Sequence, residues 1–336
     1  LAVDSVSWRI ITEDFHNVYN QINSGIEVKL PNKTTQFSYW SNSLLQYSDS
    51  NQLLEQVGYW KTQKEIQNGI TANSDLSKIN NEASSSEISV SLDENLTKIM
   101  LKELPPKHNT EINDVLLTAL TKANLSWNGK RKLCITLESH GREDIFDDID
   151  LSRTVGWFTS IYPITLDLEE NIFSIDCLLS IKEQLRRIPQ NGIGYGLLKY
   201  NSENKFCSDL PHLSEISFNY LGQFIFDNDE NNLFKVSKRN RGMERAKENS
   251  RSFQMDIIAS IVNGKLHIKI IYNENAYSRD EMSNFIRAYL DELKKIINES
   301  NLEKGNYTPS DFSDAGVNEQ ELDSIFSELN EELDDE

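Results

Sequence analysis

Three features of this sequence predict a mixed α/β fold. Apolar runs of period two alternate with stretches of helical period along most of the chain. The pair Asn263-Gly264 separates two apolar, β-branched runs, as a hairpin turn would. At 336 residues the chain is long for one core and suits two lobes with a tail.

The elements follow in order. Trp8, Ile11, Phe15, Val18 and Ile22 recur at helical spacing and predict an amphipathic helix over 6–22. The residues before it, Leu1 to Val3, read as a buried strand. Leu30-Pro31 breaks the helical pattern, and Phe37, Trp40 and Leu44 resume it over 35–47. From 73 to 87 the chain turns rich in Ser, Asn and Glu, with little to bury, and reads as a linker between lobes. Residues 88–92 alternate as a strand, 113–125 form a helix, and 132–137 form a β-branched strand that delivers Glu138 at its end. A strand over 160–166, a helix over 175–187 closed by Pro189, and a strand over 215–220 come next. The hairpin strands 255–261 and 266–272 precede a long amphipathic helix over 280–299.

Composition excludes several functions. With 53 Asp+Glu against 34 Lys+Arg, the chain lacks the basic face of a nucleic-acid binder. No apolar run approaches membrane-spanning length. Cys134, Cys177 and Cys207 are far apart and odd in number, with no CxxC metal pattern, which predicts reduced thiols in a cytoplasmic protein and no metal. Acid concentrates in the tail: residues 311–336 carry eleven Asp/Glu and no Lys or Arg. A tail with its own partner is the natural reading. Between 235 and 251 lies a basic island of Lys235, Lys238, Arg239, Arg241, Arg245, Lys247 and Arg251, either a solvated loop or a contact for an acidic partner.

Four segments mix glycine, aromatic and ionisable residues as no plain helix or strand requires: LESHGRE at 137–143, RTVGWFTSIYP at 153–163, PQNGIGYG at 189–196 and FNYLGQF at 218–224. Their order and spacing resemble the motif series of epimerization domains from nonribosomal peptide synthetases, which belong to the condensation-domain superfamily. The resemblance extends over nearly the whole chain. It implies two lobes, each like chloramphenicol acetyltransferase, facing each other across a tunnel. Residues 1–87 would be the remainder of the first lobe and the linker, 88–306 the second lobe, and 307–336 a docking tail. The family's first lobe carries HHxxxDG, and Leu1-Ala2-Val3-Asp4-Ser5 matches its last five positions, with Ser5 replacing glycine. The two histidines would lie just upstream of Leu1, so the chain reads as N-terminally incomplete.

The reaction the resemblance implies is L-to-D inversion of the α-carbon of an aminoacyl or peptidyl thioester on a phosphopantetheine arm. The arm belongs to the upstream peptidyl-carrier domain, and no cofactor is expected on this chain. Inversion removes a proton from one face and returns one to the other, so the site needs a group on each face and donors for an enolate-like state. A carboxylate at a strand end, desolvated enough to raise its pKa, suits one face. Glu138 matches the family's first motif glutamate, and Tyr220 matches the tyrosine of FNYLG, whose phenol can donate to a developing enolate oxygen. Which group acts as base and which as acid depends on substrate handedness.

The other motif residues have supporting roles. Ser139 stands where the family has glycine. His140 is read as holding the loop by hydrogen bonds, and Arg142 with Glu143 as a mutual brace. Asp4 matches the structural aspartate of HHxxxDG, with Arg153 as its expected partner. Gly156, Gly192 and Gly194, with Trp157, Tyr195 and Asn219, are candidates to line the tunnel for the arm. The glycines either leave room for it or make tight turns. Trp157, Phe158 and Tyr162 suit the core, and Asn219 alternates to the strand face opposite Tyr220.

In the tail, YTPSDF at 307–312 is similar to the exit of epimerization domains at the ends of synthetase subunits. Beyond it, Leu322, Ile325, Phe326, Leu329 and Leu333 fall on one helical face with acid opposite. So short a helix folds fully on a partner that covers the stripe. This resembles the donor half of a communication-mediating pair that joins one synthetase to a downstream one. Two rival readings are a peptide-bond-forming condensation domain and a non-catalytic docking scaffold. The amino acid and the peptide product are not encoded in any motif.

Overall fold

A computed structural model describes residues 2–68, 79–169, 173–201, 209–224, 239, 242, 244–302, 305, 307–312 and 321. The N-terminal part is helical: α1 (Ser5–Asn23), α2 (Phe37–Tyr47), α3 (Asn51–Leu54) and α4 (Val57–Asn68). Then come β1 (Ser85–Ser91), α5 (Glu94–Lys102), α6 (Leu104–His108), α7 (Ile112–Asn128), β2 (Lys132–Ser139) and β3 (Ser160–Asp167). α8 (Ser174–Arg186), α9 (Ile193–Gly196), β4 (Ile216–Phe224), β5 (Met255–Val262), β6 (Lys265–Asn273) and α10 (Arg279–Leu302) complete the order. The fold is mixed α/β, as the alternating periods predict.

One six-stranded sheet in the order β1-β6-β5-β4-β2-β3 organises the molecule. β4 lies parallel to both β2 and β5, and the remaining pairs are antiparallel. Asn263 and Gly264 both take positive φ, 48° and 81°, as a tight β5–β6 hairpin demands. Alternation gives the sheet two unlike faces. Leu133, Ile135 and Leu137 of β2, Ile164 and Leu166 of β3, Phe218 of β4, and Ile257 and Ala259 of β5 are buried in the main core. α7 and α10 close over that core with Leu116, Leu120, Phe285, Tyr289 and Leu293, and Trp127 Nε1 of α7 donates to Glu281 Oε1 of α10 at 3.0 Å. The other face carries Cys134, Thr136, Glu138, Ser217, Asn219 and Asp256. This polar face is where the candidate site lies.

Several expectations need correction. Ala2 and Val3 are not in a strand. The helix over the first apolar stripe forms, but Trp8, Phe15 and Ile22 are each more than half exposed, while Ser7 and Ile10 are buried. Polar contacts made by Asp4 and Ser7 orient this helix, and they turn the stripe outward. The linker read over 73–87 ends early, because β1 begins at Ser85; residues 73–78 lie outside the described residues. β4 continues past Tyr220 to Phe224. Gly222 sits at φ 92° in a register shift between Tyr220 and Gln223, where a bulge re-aims the strand. Within the basic island, Arg245 pairs with Glu82 at 3.0 Å and Arg251 with Asp256 at 2.7 Å, so these two serve contacts within the chain. Lys235, Lys238 and Arg241 lie outside the described residues, as do Leu322, Ile325, Phe326, Leu329 and Leu333 of the tail stripe.

Candidate active site

β2 ends by presenting Glu138 on the polar face. The parallel register that sets Thr136 against Ser217 and Leu137 against Phe218 brings Asn219 beside Glu138. The Asn219 amide Nδ2 donates to Glu138 Oε2 at 2.5 Å. Burial pushes the Glu138 carboxyl above the ordinary carboxylate range, and the negative charge of Asp256 adds to the push. Among the described residues, the buried carboxylates Asp4, Asp114 and Asp311 each sit against an arginine or lysine. Glu138 has no such cation among them and is held by a neutral amide instead. The carboxylate is oriented without being neutralised, an arrangement that favours proton transfer over structural bonding.

The four sequence segments meet around this point. Gly141 takes φ +66°, and a Cβ there would stand 1.8 Å from the Phe158 carbonyl oxygen, so the turn after Glu138 requires glycine. His140 Nδ1 accepts from the Arg142 backbone N–H at 2.9 Å, which braces the same turn. Ser139 Oγ donates to Glu143 Oε1 at 3.1 Å, and Asn191 Nδ2 donates to Glu143 Oε2 at 2.7 Å. Glu143 thus ties the first segment to the third. The guanidinium of Arg142 lies 3.8 Å over the Phe158 ring and donates to the carbonyls of Leu151 and Thr154. That ties the first segment to the second.

Two expected pairings are replaced. Arg142 and Glu143 do not brace each other; each binds elsewhere, as above. The partner of Asp4 is Arg142, whose Nη2 reaches both carboxylate oxygens at 3.1 Å, and not Arg153. Arg153 instead pairs with Glu13 at 3.2 Å and with Asp14 on the outer turn of α1. The loop path explains the exchange: Ser7 Oγ and the Asp4 amide both donate to the Gly156 carbonyl, which seats Asp4 under the buried Arg142. Burial raises the Asp4 carboxyl, but hydrogen bonds from Ser7 and the charge of Arg142 outweigh it and hold the group below its ordinary value.

The residues expected along the tunnel separate into two groups. The space beside Gly156 is taken by the Phe37 ring, that beside Gly192 by the Tyr162 ring, and that beside Gly194 by Gln56 and Leu53. These three glycines admit neighbouring side chains of the same molecule. Tyr195 is fully buried and donates its hydroxyl to the Pro211 carbonyl at 2.7 Å. Trp157 is 41% exposed while Phe158 and Tyr162 are buried, so the aromatic triplet read as core divides. Asn219 joins Glu138. Tyr220 pairs with buried Ala259 across the sheet and packs on the core face, where burial pushes its phenol up to about 12. Sequence reading missed Asp256, Arg251 and Ser217 beneath Glu138. The β5 alternation, with Asp256 on the polar face, was the available signal.

Residues 1–315 match the family model described as Condensation domain. Bacitracin synthase 3 of Bacillus licheniformis is 38% identical over 332 residues, 97% of this chain and 5% of that protein. Gramicidin S synthase 1 of Brevibacillus brevis is 36% identical over 345 residues, 99% of this chain and 31% of that protein. The chain therefore spans a small part of the synthases it resembles. Among solved structures, the epimerization domain from the third module of tyrocidine synthetase B superposes with a TM-score of 0.79 at 36% identity, over 89% of this chain and 67% of that one. The first condensation domain of the CDA synthetase, at 12% identity and a TM-score of 0.59 over 89% of this chain and 62% of that one, shares the fold.

Proposed function

From the premise that the chain belongs to the condensation-domain family, we propose that it inverts the α-carbon of an aminoacyl or peptidyl thioester, converting the L form to the D form on a phosphopantetheine arm. The observation that carries this reading is Glu138: a half-buried carboxylate at a strand end, hydrogen-bonded by the neutral Asn219, with its pKa raised. Similarity to a solved epimerization domain at 36% identity supports the same choice within the family.

In this reaction a base takes the α-proton from one face. The C–H electron pair moves into the thioester carbonyl and forms an enolate. A group on the other face then delivers a proton to the α-carbon, and the carbonyl re-forms, so no atom is gained or lost. Glu138 serves one face. A buried carboxylate with a raised pKa exchanges a proton near neutral pH more readily than a solvated one. Asn219 fixes its orientation, and the loop braced by His140, Gly141 and Glu143 fixes the end of β2. The Asp4–Arg142 pair anchors the segment preceding α1 against that same loop.

The arm arrives on a partner carrier domain, and the tail beyond Phe312 is a connector to a downstream synthetase. The test uses the full-length gene product with an L-aminoacyl thioester on a phosphopantetheinylated carrier, with chiral analysis of the hydrolysed amino acid. A D/L mixture that depends on Glu138 supports epimerization. Retained L configuration with a new peptide bond to a second carrier supports condensation instead.

A further inference from the structure

Beneath Glu138, on the same polar face, two hydrogen bonds fix a second carboxylate. Ser217 Oγ donates to Asp256 Oδ1 at 2.7 Å, and Arg251 Nη2 donates to Asp256 Oδ2 at 2.7 Å. Asp256 sits on β5 directly across from Ser217 of β4. Ser217 lies two residues before Asn219, the residue that binds Glu138. The Arg251 side chain is 4% exposed and also donates to the Ile271 carbonyl at 3.1 Å. An arginine so placed gives the Asp256 carboxylate a buried, charge-assisted partner. The Asp256 carboxylate therefore holds a fixed place on the sheet face that carries Glu138.

We propose that Asp256 is a positioning residue for proton transfer: its carboxylate, fixed in place by Arg251 and Ser217, makes the Glu138 carboxylate a stronger base. The proposal rests on the reading of Glu138 as the proton-transfer group. It adds a second carboxylate that never meets the substrate.

The other groups on elements packed around Glu138 do not supply this field. Ile161 of β3, its partner across the strand pair, is apolar, and Asn219 of β4 is neutral. On the loop that follows, Arg142 is committed to Asp4. Glu143 is bonded to Ser139 and Asn191, with His140 3.6 Å away. The upward push of Asp256 on Glu138 agrees with this arrangement. A fixed like charge at this remove acts through the half-buried sheet face, where screening by water is incomplete. It disfavours the ionised form of Glu138 and so strengthens it as a base, without competing for its hydrogen bond.

The test is the pH dependence of α-proton exchange of a carrier-bound aminoacyl thioester in deuterated buffer, using the full-length gene product. Wild type, Glu138→Gln, Asp256→Asn and Asp256→Glu are compared. Asp256→Asn keeps the shape and one acceptor oxygen, which can face Arg251 while the amide NH2 donates to Ser217 Oγ, and it removes the charge. The limb of the profile set by Glu138 should move to lower pH in Asp256→Asn and return toward wild type in Asp256→Glu. A structural role alone would lower the rate across the whole profile and leave the limb in place, which overturns the proposal. So does a limb that moves to higher pH. If Asp256→Asn fails to fold, Asp256→Ser, which also removes the charge, is measured by the same limb. A limb unmoved in Asp256→Ser also overturns it. Full exchange in Glu138→Gln is a different failure: it removes the function assigned to Glu138 itself.

Discussion

The Arg142 guanidinium meets both carboxylate oxygens of Asp4 at 3.1 Å, with the two side chains 9% and 6% exposed. The pair joins the N-cap of α1 to the loop that follows Glu138, so it couples the N-terminal helices to the candidate site. Removing one member strands the other charge in the interior, at a cost of about 3–5 kcal/mol. Arg142→Met should therefore lower the denaturation midpoint sharply. Arg142→Lys should not restore it, because a single ammonium cannot also reach the Leu151 and Thr154 carbonyls. Arg153→Ala, whose partners lie on the outer surface of α1, should leave the midpoint nearly unchanged. Equal losses from Arg142→Met and Arg153→Ala would mean that the Asp4 pair does not carry this coupling.

Glu138→Gln should reduce the rate of inversion by a factor on the order of 10²–10⁴, the usual worth of a general acid–base group. Tyr220→Phe should cost far less, since its phenol packs on the opposite sheet face. Chiral analysis of the carrier-bound product separates the two. A larger loss from Tyr220→Phe than from Glu138→Gln would reverse their roles.

The same raised carboxyl has a consequence for stability. Burial and Asp256 hold the Glu138 value above its unfolded one. The stability this contributes is present at low pH, where the group is protonated, and is lost as pH rises through the raised folded value. A permanently neutral glutamine escapes that loss. Glu138→Gln should melt at a higher temperature than wild type near pH 8 and at a similar temperature near pH 4, the range around the ordinary carboxylate value of about 4.3. A variant that melts lower at the alkaline end would contradict the burial of an unpaired carboxylate.

At the other end of the chain, the exit segment belongs to the fold. Lys182 Nζ, wholly buried, meets Asp311 Oδ2 at 2.6 Å and the His108 carbonyl at 2.9 Å. Asn109 Nδ2 donates to the other oxygen of Asp311 at 2.6 Å. Truncation after Pro309 leaves Lys182 without its counter-charge and should destabilise the domain by about 3–5 kcal/mol. Truncation after Phe312 keeps the pair and should preserve inversion while product transfer to a separate downstream synthetase falls. That transfer should also weaken with added salt, because the removed tail is acidic and exposed charges are screened. Unchanged transfer after removal of the tail would mean that it does not connect the two proteins.

The local pattern of this chain was legible in its residues. Helical period located α1, α2, α7, α8 and α10, and period two with the Asn263-Gly264 turn located the sheet strands. Glu138 stood out through the resemblance of LESHGRE to the family's motif; the β-branched run by itself marks only a carboxylate at a strand end. Which residues meet was decided by tertiary structure. The parallel β2–β4 register put Asn219 beside Glu138 and sent Tyr220 to the core. The path of the loop through Thr154 and Gly156 gave Asp4 to Arg142 and left Arg153 to Glu13 and Asp14. Phe37, Tyr162 and Gln56 took the space that three glycines leave open. Periodicity reports how a residue relates to its near neighbours, because it follows from backbone geometry within a few residues. Strand register, loop path and the filling of space depend on contacts between segments far apart in the chain, and a single sequence carries no local signal of them.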